Sequence, residues 1–96
     1  MYHIDISKSA RKDIVSAIDW YNSKKQDLGY QFLEELNDYI QVLKDKPNAF
    51  PVKHFPYHEF PLKRFPYIVV YIIQKKQVII KAVLSAKKLS SKKYRK

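Results

Sequence analysis

Two apolar runs dominate the pattern of hydrophobic and polar positions in the second half of the chain. Residues 67–73 and residues 78–84 are almost wholly apolar, and four polar residues separate them. Both runs are seven residues long and rich in Val, Ile and Tyr, which is typical of β-strands. The pattern predicts a β-hairpin with its turn at Lys75-Lys76. This pair is not the Asn-Gly or Asp-Gly that a two-residue loop favours, so the turn type stays open.

The two runs differ in how apolar and polar residues are distributed between the two faces of the strand. The first is apolar on both sides, which predicts a central strand covered on both faces. In the second, strict alternation places four apolar residues on one face, whereas Lys81 and Ser85 interrupt the other. We expect the apolar face to carry Val78, Ile80, Ala82 and Leu84. The face that carries Lys81 and Ser85 is expected to stay open and basic.

A strand and a helix are predicted ahead of these runs. Residues 2–6 alternate between apolar and polar, the pattern of a short half-buried strand. Ser7 and Ser9 both offer a helix N-cap, and apolar residues then recur at helical spacing up to Tyr21. This helix is expected to end near residues 22–24.

A second helical stripe follows after a short polar connection. It runs from Leu28 to Leu43, with Asp27 as a candidate cap. The helix is expected to stop before Pro47, because the residue ahead of a proline disfavours the α region. Two helices so close in sequence form an antiparallel hairpin. Neither can bury its stripe alone, so the pair is expected to lie on the sheet.

Phe-Pro pairs recur every five residues between the second helix and the first apolar run. The pairs are Phe50-Pro51, Phe55-Pro56, Phe60-Pro61 and Phe65-Pro66. Since proline cannot donate to a β-ladder, a strand around residues 58–63 is expected to be an edge strand. His54 and His58 of this segment are expected at the surface.

The resulting order, β-α-α-β-β-β, predicts a two-layer α+β fold. The helical hairpin is expected to pack on one face of a mainly antiparallel sheet, in a single domain over residues 1–96. No apolar run approaches the ~20 residues of a membrane span, and the N-terminus lacks the pattern of a signal peptide. Cysteine is absent, which suits the cytoplasm. The three histidines lack zinc-like spacing, so neither a metal nor another cofactor is expected.

Positive charge is concentrated in the second half of the chain. Residues 1–46 hold seven Lys/Arg against eight Asp/Glu, whereas residues 47–96 hold twelve against one, within a net charge of +10. A lysine-rich genome would scatter lysines equally through both halves. The asymmetry therefore favours a surface for a polyanion or an acidic partner. Residues 87–96 form a basic tail with six Lys/Arg.

The blocks RFPYIVVYII, at residues 64–73, and VIIKAVLSAKK, at residues 78–88, resemble the RelE/ParE superfamily of bacterial toxins. The helical hairpin ahead of the Arg-Phe-Pro-Tyr strand is most like the ParE branch, and the resemblance covers roughly residues 2–88. It implies a toxin of a type II toxin–antitoxin system, linked to growth inhibition and plasmid stabilisation and silenced by a cognate antitoxin. RelE-type members cleave mRNA on the ribosome, ParE-type members poison DNA gyrase, and some members have no established activity.

The resemblance is weakest at the positions that are catalytic in RNA-cleaving members. RNA-cleaving members have an arginine directly after the tyrosine that corresponds to Tyr67, but this chain has Ile68. An arginine after the last strand corresponds to Lys88, which keeps the charge without the bidentate fork. A tyrosine six residues further on corresponds to Tyr94. Many ParE-like members close the last strand with a histidine, and here Ser85 is the nearest residue.

Two sets of candidate site residues follow. RNA cleavage needs a proton acceptor and cations on the phosphorane, and its candidates are Lys81, Lys87, Lys88 and Tyr94. The candidates for binding a target or a nucleic acid are Lys63, Arg64, Lys87, Lys88, Lys92, Lys93 and Arg95. A solvated basic face is the simpler interpretation of the lysines, and Tyr94 could equally anchor the tail.

The main hypothesis from the sequence is a toxin that binds and inhibits a target such as DNA gyrase. The alternatives are a ribosome-dependent mRNA endoribonuclease and a degenerate family member that only binds its antitoxin. Ile68 in place of an arginine, and the missing histidine, favour binding over cleavage. Whether the protein is an enzyme stays open at this point.

Overall fold

A computed structural model describes residues 1–86 of the chain. Two helices, α1 (Lys8–Lys24) and α2 (Leu28–Asp45), follow the first strand in sequence. The strands are β1 (His3–Ile6), β2 (Val52–His54), β3 (Tyr57–Pro61), β4 (Tyr67–Gln74) and β5 (Gln77–Ser85). The predicted α+β architecture is confirmed, and one short strand, β2, is added to the predicted order.

The five strands form one mixed sheet in the order β1-β5-β4-β3-β2. β1 pairs parallel with β5, and the other neighbours are antiparallel. β4 is therefore the central strand, as predicted for the first apolar run, but within residues 1–86 the helices cover only one of its two faces. The predicted hairpin is also confirmed, because Gln74 pairs with Gln77 across the Lys75-Lys76 turn. Lys75 lies in the left-handed region, with φ 56°.

Different side chains accept the free N–H groups in the first turns of the two helices. Ser7 caps α1 by accepting a backbone N–H of the first turn at 3.1 Å. Asp27 precedes α2, but the prediction that its side chain caps the helix is wrong, since its φ of 67° is not the extended conformation of a capping residue. The Asn22 side chain instead accepts the N–H of Gly29 at 2.8 Å. A Cβ on Gly29 would lie 2.5 Å from the Ile18 carbonyl oxygen, so glycine permits this close approach of the helices.

The core lies between the helices and one face of the sheet and is rich in aromatic rings. Phe32 of α2, Phe60 of β3 and Tyr71 of β4 are almost completely buried. The Phe32 ring meets Phe65 and Tyr67 edge-on, with centroids 5.3 and 5.0 Å away, a geometry that aromatic pairs favour. The other buried members of the core are Ala10, Ile14, Ala17, Leu36, Leu43, Leu62, Val69, Val78, Ile80 and Val83. Within residues 1–86, no helix is long and apolar enough to cross a membrane.

The expectation of an edge strand over residues 58–63 is wrong. β3 pairs with β4 on one side and with β2 on the other, because the turn at Phe55-Pro56 folds the chain back along β3. β2 is therefore the edge, and all three of its residues are exposed. His58 is buried, not at the surface. Its ring stacks on Tyr71, and its Nδ1 lies 2.8 Å from the Phe50 carbonyl oxygen.

Strict alternation along β5 is also wrong, from Ile80 onwards. Tyr71 pairs with Ile80, whereas Val70 pairs with Ala82, so Lys81 is the extra residue of a β-bulge. The bulge shifts the alternation by one residue. The core members from this strand are therefore Val78, Ile80 and Val83.

The sheet face away from the helices is aliphatic along the central strands and carries the acid Glu59 on β3, which corrects the expectation of a basic face. No helix among the described residues covers it, and its half-buried members from the central strands are Ile68, Ile72, Ile79 and Leu84. Ser85, expected on this face, instead pairs with Tyr67, whose ring packs against the core. The bulge at Lys81 is the physical reason, because it reverses the sides of the residues that follow it.

Candidate binding site

The loop between β3 and β4, residues 62–66, carries two of the predicted site residues, Lys63 and Arg64. Backbone hydrogen bonds close the loop, since the Leu62 N–H donates to the Tyr67 carbonyl at 3.0 Å and the Tyr67 N–H donates to the Phe65 carbonyl at 2.7 Å. Leu62 and Phe65 are buried, and the two cations between them are exposed. The loop thus presents adjacent cations on a backbone that is anchored at both ends.

A carboxylate of α2 holds the same loop. Glu35 is 8% exposed, and its carboxylate accepts the backbone N–H of Lys63 at 2.6 Å and that of Arg64 at 3.1 Å. One helical turn earlier, the Gln31 side-chain oxygen accepts a hydrogen bond from the Arg64 guanidinium at 2.6 Å. A buried carboxylate is costly unless it is hydrogen-bonded, and here two backbone donors satisfy it. The backbone of both cations is therefore fixed relative to α2.

An open groove of about 530 Å³ adjoins this loop. Its apolar lining comes from Tyr39, Val42 and Phe50. Helix α2 contributes the acids Glu34, Glu35 and Asp38, and the loop contributes Lys63 and Arg64. The groove therefore combines apolar surface with both signs of charge. Acids in the lining repel a bare polyanion, so this surface is better suited to a polypeptide than to nucleic acid.

Lys81, a predicted catalytic residue, lies in the β5 bulge and not in this loop. The Ser7 hydroxyl donates to the Lys81 carbonyl oxygen at 3.3 Å, and the Ser7 N–H donates to the Ile80 carbonyl at 3.0 Å. The Asp13 carboxylate accepts the Val83 N–H at 3.0 Å. The first turns of α1 therefore hold the backbone on both sides of the bulge.

Apart from Lys53 of the edge strand β2, the described cations of the second half are spread along the β4–β5 hairpin. Lys63 and Arg64 precede β4, Lys75 and Lys76 follow it, and Lys81 lies opposite its middle. β4 has eight residues, so the loop and the turn are about 25 Å apart along the strand. Among the described candidates, only Lys63 and Arg64 are brought together.

The other candidates lie outside the described residues and stay predictions. They are Lys87, Lys88, Lys92, Lys93, Tyr94 and Arg95. The last described residue, Ala86, donates its N–H to the Pro66 carbonyl at 2.7 Å. The described chain therefore ends beside the loop that carries Lys63 and Arg64.

Ile68 occupies the position at which, by the resemblance, RNA-cleaving relatives have an arginine. It is half-buried and pairs with Pro61 on β3 and with Leu84 on β5. Both cross-strand neighbours are apolar, so Ile68 belongs to the aliphatic face of the sheet. This position offers neither a charge nor a hydrogen bond to a phosphate.

Two tyrosines of β4 have a raised pKa. Tyr71 is fully buried, its hydroxyl donates to the Pro47 carbonyl at 2.7 Å, and burial raises its pKa to about 12. Burial also raises the pKa of Tyr67, with smaller contributions from Tyr21 and Asp13. Tyr71 therefore ties the segment after α2 to the central strand and is not an acid–base group at neutral pH.

Sequence reasoning found the cations but missed the two acids, Glu35 and Asp13, that hold the backbone of the loop and of the strand after the bulge. Glu35 lies three residues after Phe32 and four before Tyr39, which places it on the apolar side of α2. A charged residue on that side of a helix is a signal for a buried polar contact. The same signal was available for Asp13 in α1.

The sequence model of one protein family covers nearly the whole chain. The family is described as "ParE toxin of type II toxin-antitoxin system, parDE", and its model matches residues 4–89. None of the curated protein sequences matches the chain.

Solved structures share the fold at low sequence identity. One, described as "Chromosomal ParDE TA system from P. aeruginosa", superposes with a TM-score of 0.75 at 15% identity, covering 86% of this chain and 94% of that one. A copper-bound mutant toxin from Helicobacter pylori gives 0.64 at 21% identity, covering 94% and 100%. The solution structure of HP0894 from Helicobacter pylori gives 0.51 at 23% identity, with the same coverage. At these identities the likeness concerns the fold alone.

Proposed function

This chain belongs to the ParE toxin family of type II toxin–antitoxin systems, and we propose that it acts by binding and inhibiting a target enzyme instead of cleaving RNA. DNA gyrase is the first candidate target. In this proposal, the loop of Lys63 and Arg64 contacts the target, together with cations of the tail at residues 87–96. A cognate antitoxin, which the family implies, keeps the toxin silent.

The position of Ile68 is the observation that carries the proposal. The resemblance to RNA-cleaving toxins implies that an arginine here would present a guanidinium to the scissile phosphate. Ile68 presents an aliphatic side chain between Pro61 and Leu84 instead. Loss of one such transition-state contact costs ~10²–10³ in rate. An aliphatic face supports contact with a protein better than it supports phosphate chemistry.

The anchored loop supports binding for a second reason. Lys63 and Arg64 are exposed, but Glu35 already fixes their backbone. Preorganised groups lose less conformational entropy when a partner binds, and exposed cations steer an acidic partner towards them. The acids Glu34 and Asp38 in the adjoining groove favour a protein target over a nucleic acid.

The helical hairpin offers a surface for the antitoxin. Its exposed large apolar side chains are Val15, Trp20, Tyr30, Leu33 and Val42. Apolar exposure on a small protein is typical of a protein interface. We expect an extended or helical antitoxin segment to cover the hairpin and to run on to the sheet, bringing acidic residues to the basic half. This complex should survive high salt, because salt does not screen apolar burial.

A ribosome-dependent ribonuclease is the alternative function, and one observation favours it. The described chain ends at Ala86, beside a loop that already holds Lys63 and Arg64. Cations from two parts of the chain could therefore act on one phosphate. A degenerate toxin that only binds its antitoxin is the remaining possibility.

Two assays on one toxin preparation test the proposal. Supercoiling by purified DNA gyrase should be inhibited, and addition of the antitoxin should relieve the inhibition. Primer extension on transcripts from translating ribosomes should show no cuts. Codon-phased cuts that vanish in Lys88→Ala would instead establish the ribonuclease. A toxin inactive in both assays would fit the member that only binds its antitoxin.

A further inference from the structure

We infer that Glu35 is a positioning residue for the target-binding loop, which it serves without touching the target. It holds the backbone of Lys63 and Arg64 so that both cations point towards a partner. This inference rests on the proposed function in one respect, since it takes those two cations to be the groups that the target meets.

The hydrogen bonds show how one side chain controls two residues. Oε2 of Glu35 accepts the Lys63 N–H at 2.6 Å, and Oε1 accepts the Arg64 N–H at 3.1 Å, with Oε2 at 3.3 Å from the same nitrogen. Successive backbone N–H groups that converge on one anion form a recurring anion-binding arrangement. Here the anion is built into α2. Both amides face the helix, and both side chains are exposed.

Apolar packing alone already anchors the ends of this loop, through buried Leu62 and Phe65. A carboxylate is therefore not needed to keep the loop on the protein. It also lies on the apolar side of α2, where a buried charged group is costly unless it is hydrogen-bonded. What Glu35 adds is control of the two residues between the anchors. Those residues are the cations.

Helix α2 also holds the side chain of Arg64. Its guanidinium donates to Gln31, one turn before Glu35 on the same helix, and lies 5.8 Å from the Phe65 ring. Lys63 and Arg64 line the groove with exposed side chains, whereas Glu35, which borders it too, is buried and has both carboxylate oxygens on the loop amides. A ligand in that groove would therefore meet side chains whose backbone Glu35 has fixed.

Amide hydrogen exchange of the full chain tests the positioning without any target. Glu35→Ala should speed exchange at the Lys63 and Arg64 amides by roughly ten- to a hundredfold, the range for hydrogen bonds to a charged group. Glu35→Gln keeps one acceptor oxygen, so its effect should be smaller. Glu34→Gln, the matched control on the same helix, should change neither amide. The amide of Val69 in the central strand should exchange as in the wild type in Glu34→Gln, and in the Glu35 variants its faster exchange measures only the loss of global stability.

A double-mutant cycle in growth inhibition links the positioning to function. Glu35→Gln, or Glu35→Ala if it folds, should weaken growth arrest on induced expression. The same substitution should have no further effect in the Lys63→Ala/Arg64→Ala variant, where there is nothing left to position. Unchanged exchange at both amides, or equal weakening in both backgrounds, would overturn the inference. If the wild-type chain causes no growth arrest, the proposed function fails, and the exchange measurement still decides whether Glu35 positions the loop.

Discussion

In each helix of this toxin, one carboxylate accepts backbone hydrogen bonds from an irregular part of the sheet. Glu35 of α2 holds the loop that carries Lys63 and Arg64, and Asp13 of α1 holds the strand just after the bulge at Lys81. Glu35 is buried and accepts two backbone N–H groups, whereas Asp13 is half-buried, so water screens the hydrogen bond that it accepts from Val83. Hydrogen bonds to a desolvated carboxylate are the stronger ones, so the two-cation loop is held more firmly than the strand beside the bulge. This difference makes the loop the better candidate for recognition and the bulge a feature of the fold.

The largest expected effect is on stability, and it compares the two carboxylates directly. Glu35→Ala removes two charge-assisted hydrogen bonds and should lower the free energy of unfolding by roughly 3 kcal/mol. Asp13→Ala acts at a half-exposed site, where water weakens the hydrogen bonds of the carboxylate, and should cost less, about 1 kcal/mol. Urea denaturation of both variants measures the difference. Equal losses, or a larger loss in Asp13→Ala, would contradict the stronger hold on the loop.

An alkaline titration tests the core instead of the two carboxylates. The folded pKa of Tyr71, about 12, is above the unfolded value of 10.0, since burial disfavours the phenolate. Its contribution to stability is therefore fully present below pH 10 and is lost as the pH rises towards 12. The wild type should lose about 2 kcal/mol more than Tyr71→Phe over this range. Parallel pH profiles of the two proteins would show that Tyr71 is not the group responsible.

The smallest expected effect is on two tyrosine pKa values, and it reports on each carboxylate separately. Burial raises the pKa of Tyr39, with a smaller contribution from Glu35, and the pKa of Tyr67 is raised mainly by burial and in part by Asp13. Glu35→Gln should therefore lower the pKa of Tyr39 and leave that of Tyr67 unchanged. Asp13→Asn should do the reverse. NMR titration of the tyrosine rings measures both, and a cross-effect would mean that the two sites are coupled.

The sequence was sufficient to predict the parts of the fold that follow from regular periodicity. Helical spacing indicated both helices, and the two apolar runs indicated the hairpin of β4 and β5. Regular alternation cannot reveal a bulge, because the extra residue, Lys81, is recognised only through its pairing with the neighbouring strand. The prediction of the edge strand was wrong for a similar reason. A proline shows that one backbone donor is missing, but not that the chain before Phe55-Pro56 folds back to pair with β3.

The candidate site was only half predictable, and the two acids show why. Asp13 lies three residues after Ala10 and four before Ala17, the same spacing that places Glu35 on the apolar side of its helix. Periodicity therefore marks both acids as unusual. It does not say which donors they meet, because those donors are 28 residues away for Glu35 at Lys63 and 70 residues away for Asp13.

The most direct test of the account is the affinity of purified DNA gyrase for three forms of the toxin. The loop variant is Lys63→Ala/Arg64→Ala, and its matched control is Lys75→Ala/Lys76→Ala, which removes the same charge from the opposite end of β4. If position matters, the loop variant should bind at least about tenfold more weakly, and the turn variant should stay within about twofold of the wild type. Equal losses in the two variants would mean that the target responds to net charge alone, and would contradict a binding site at the loop.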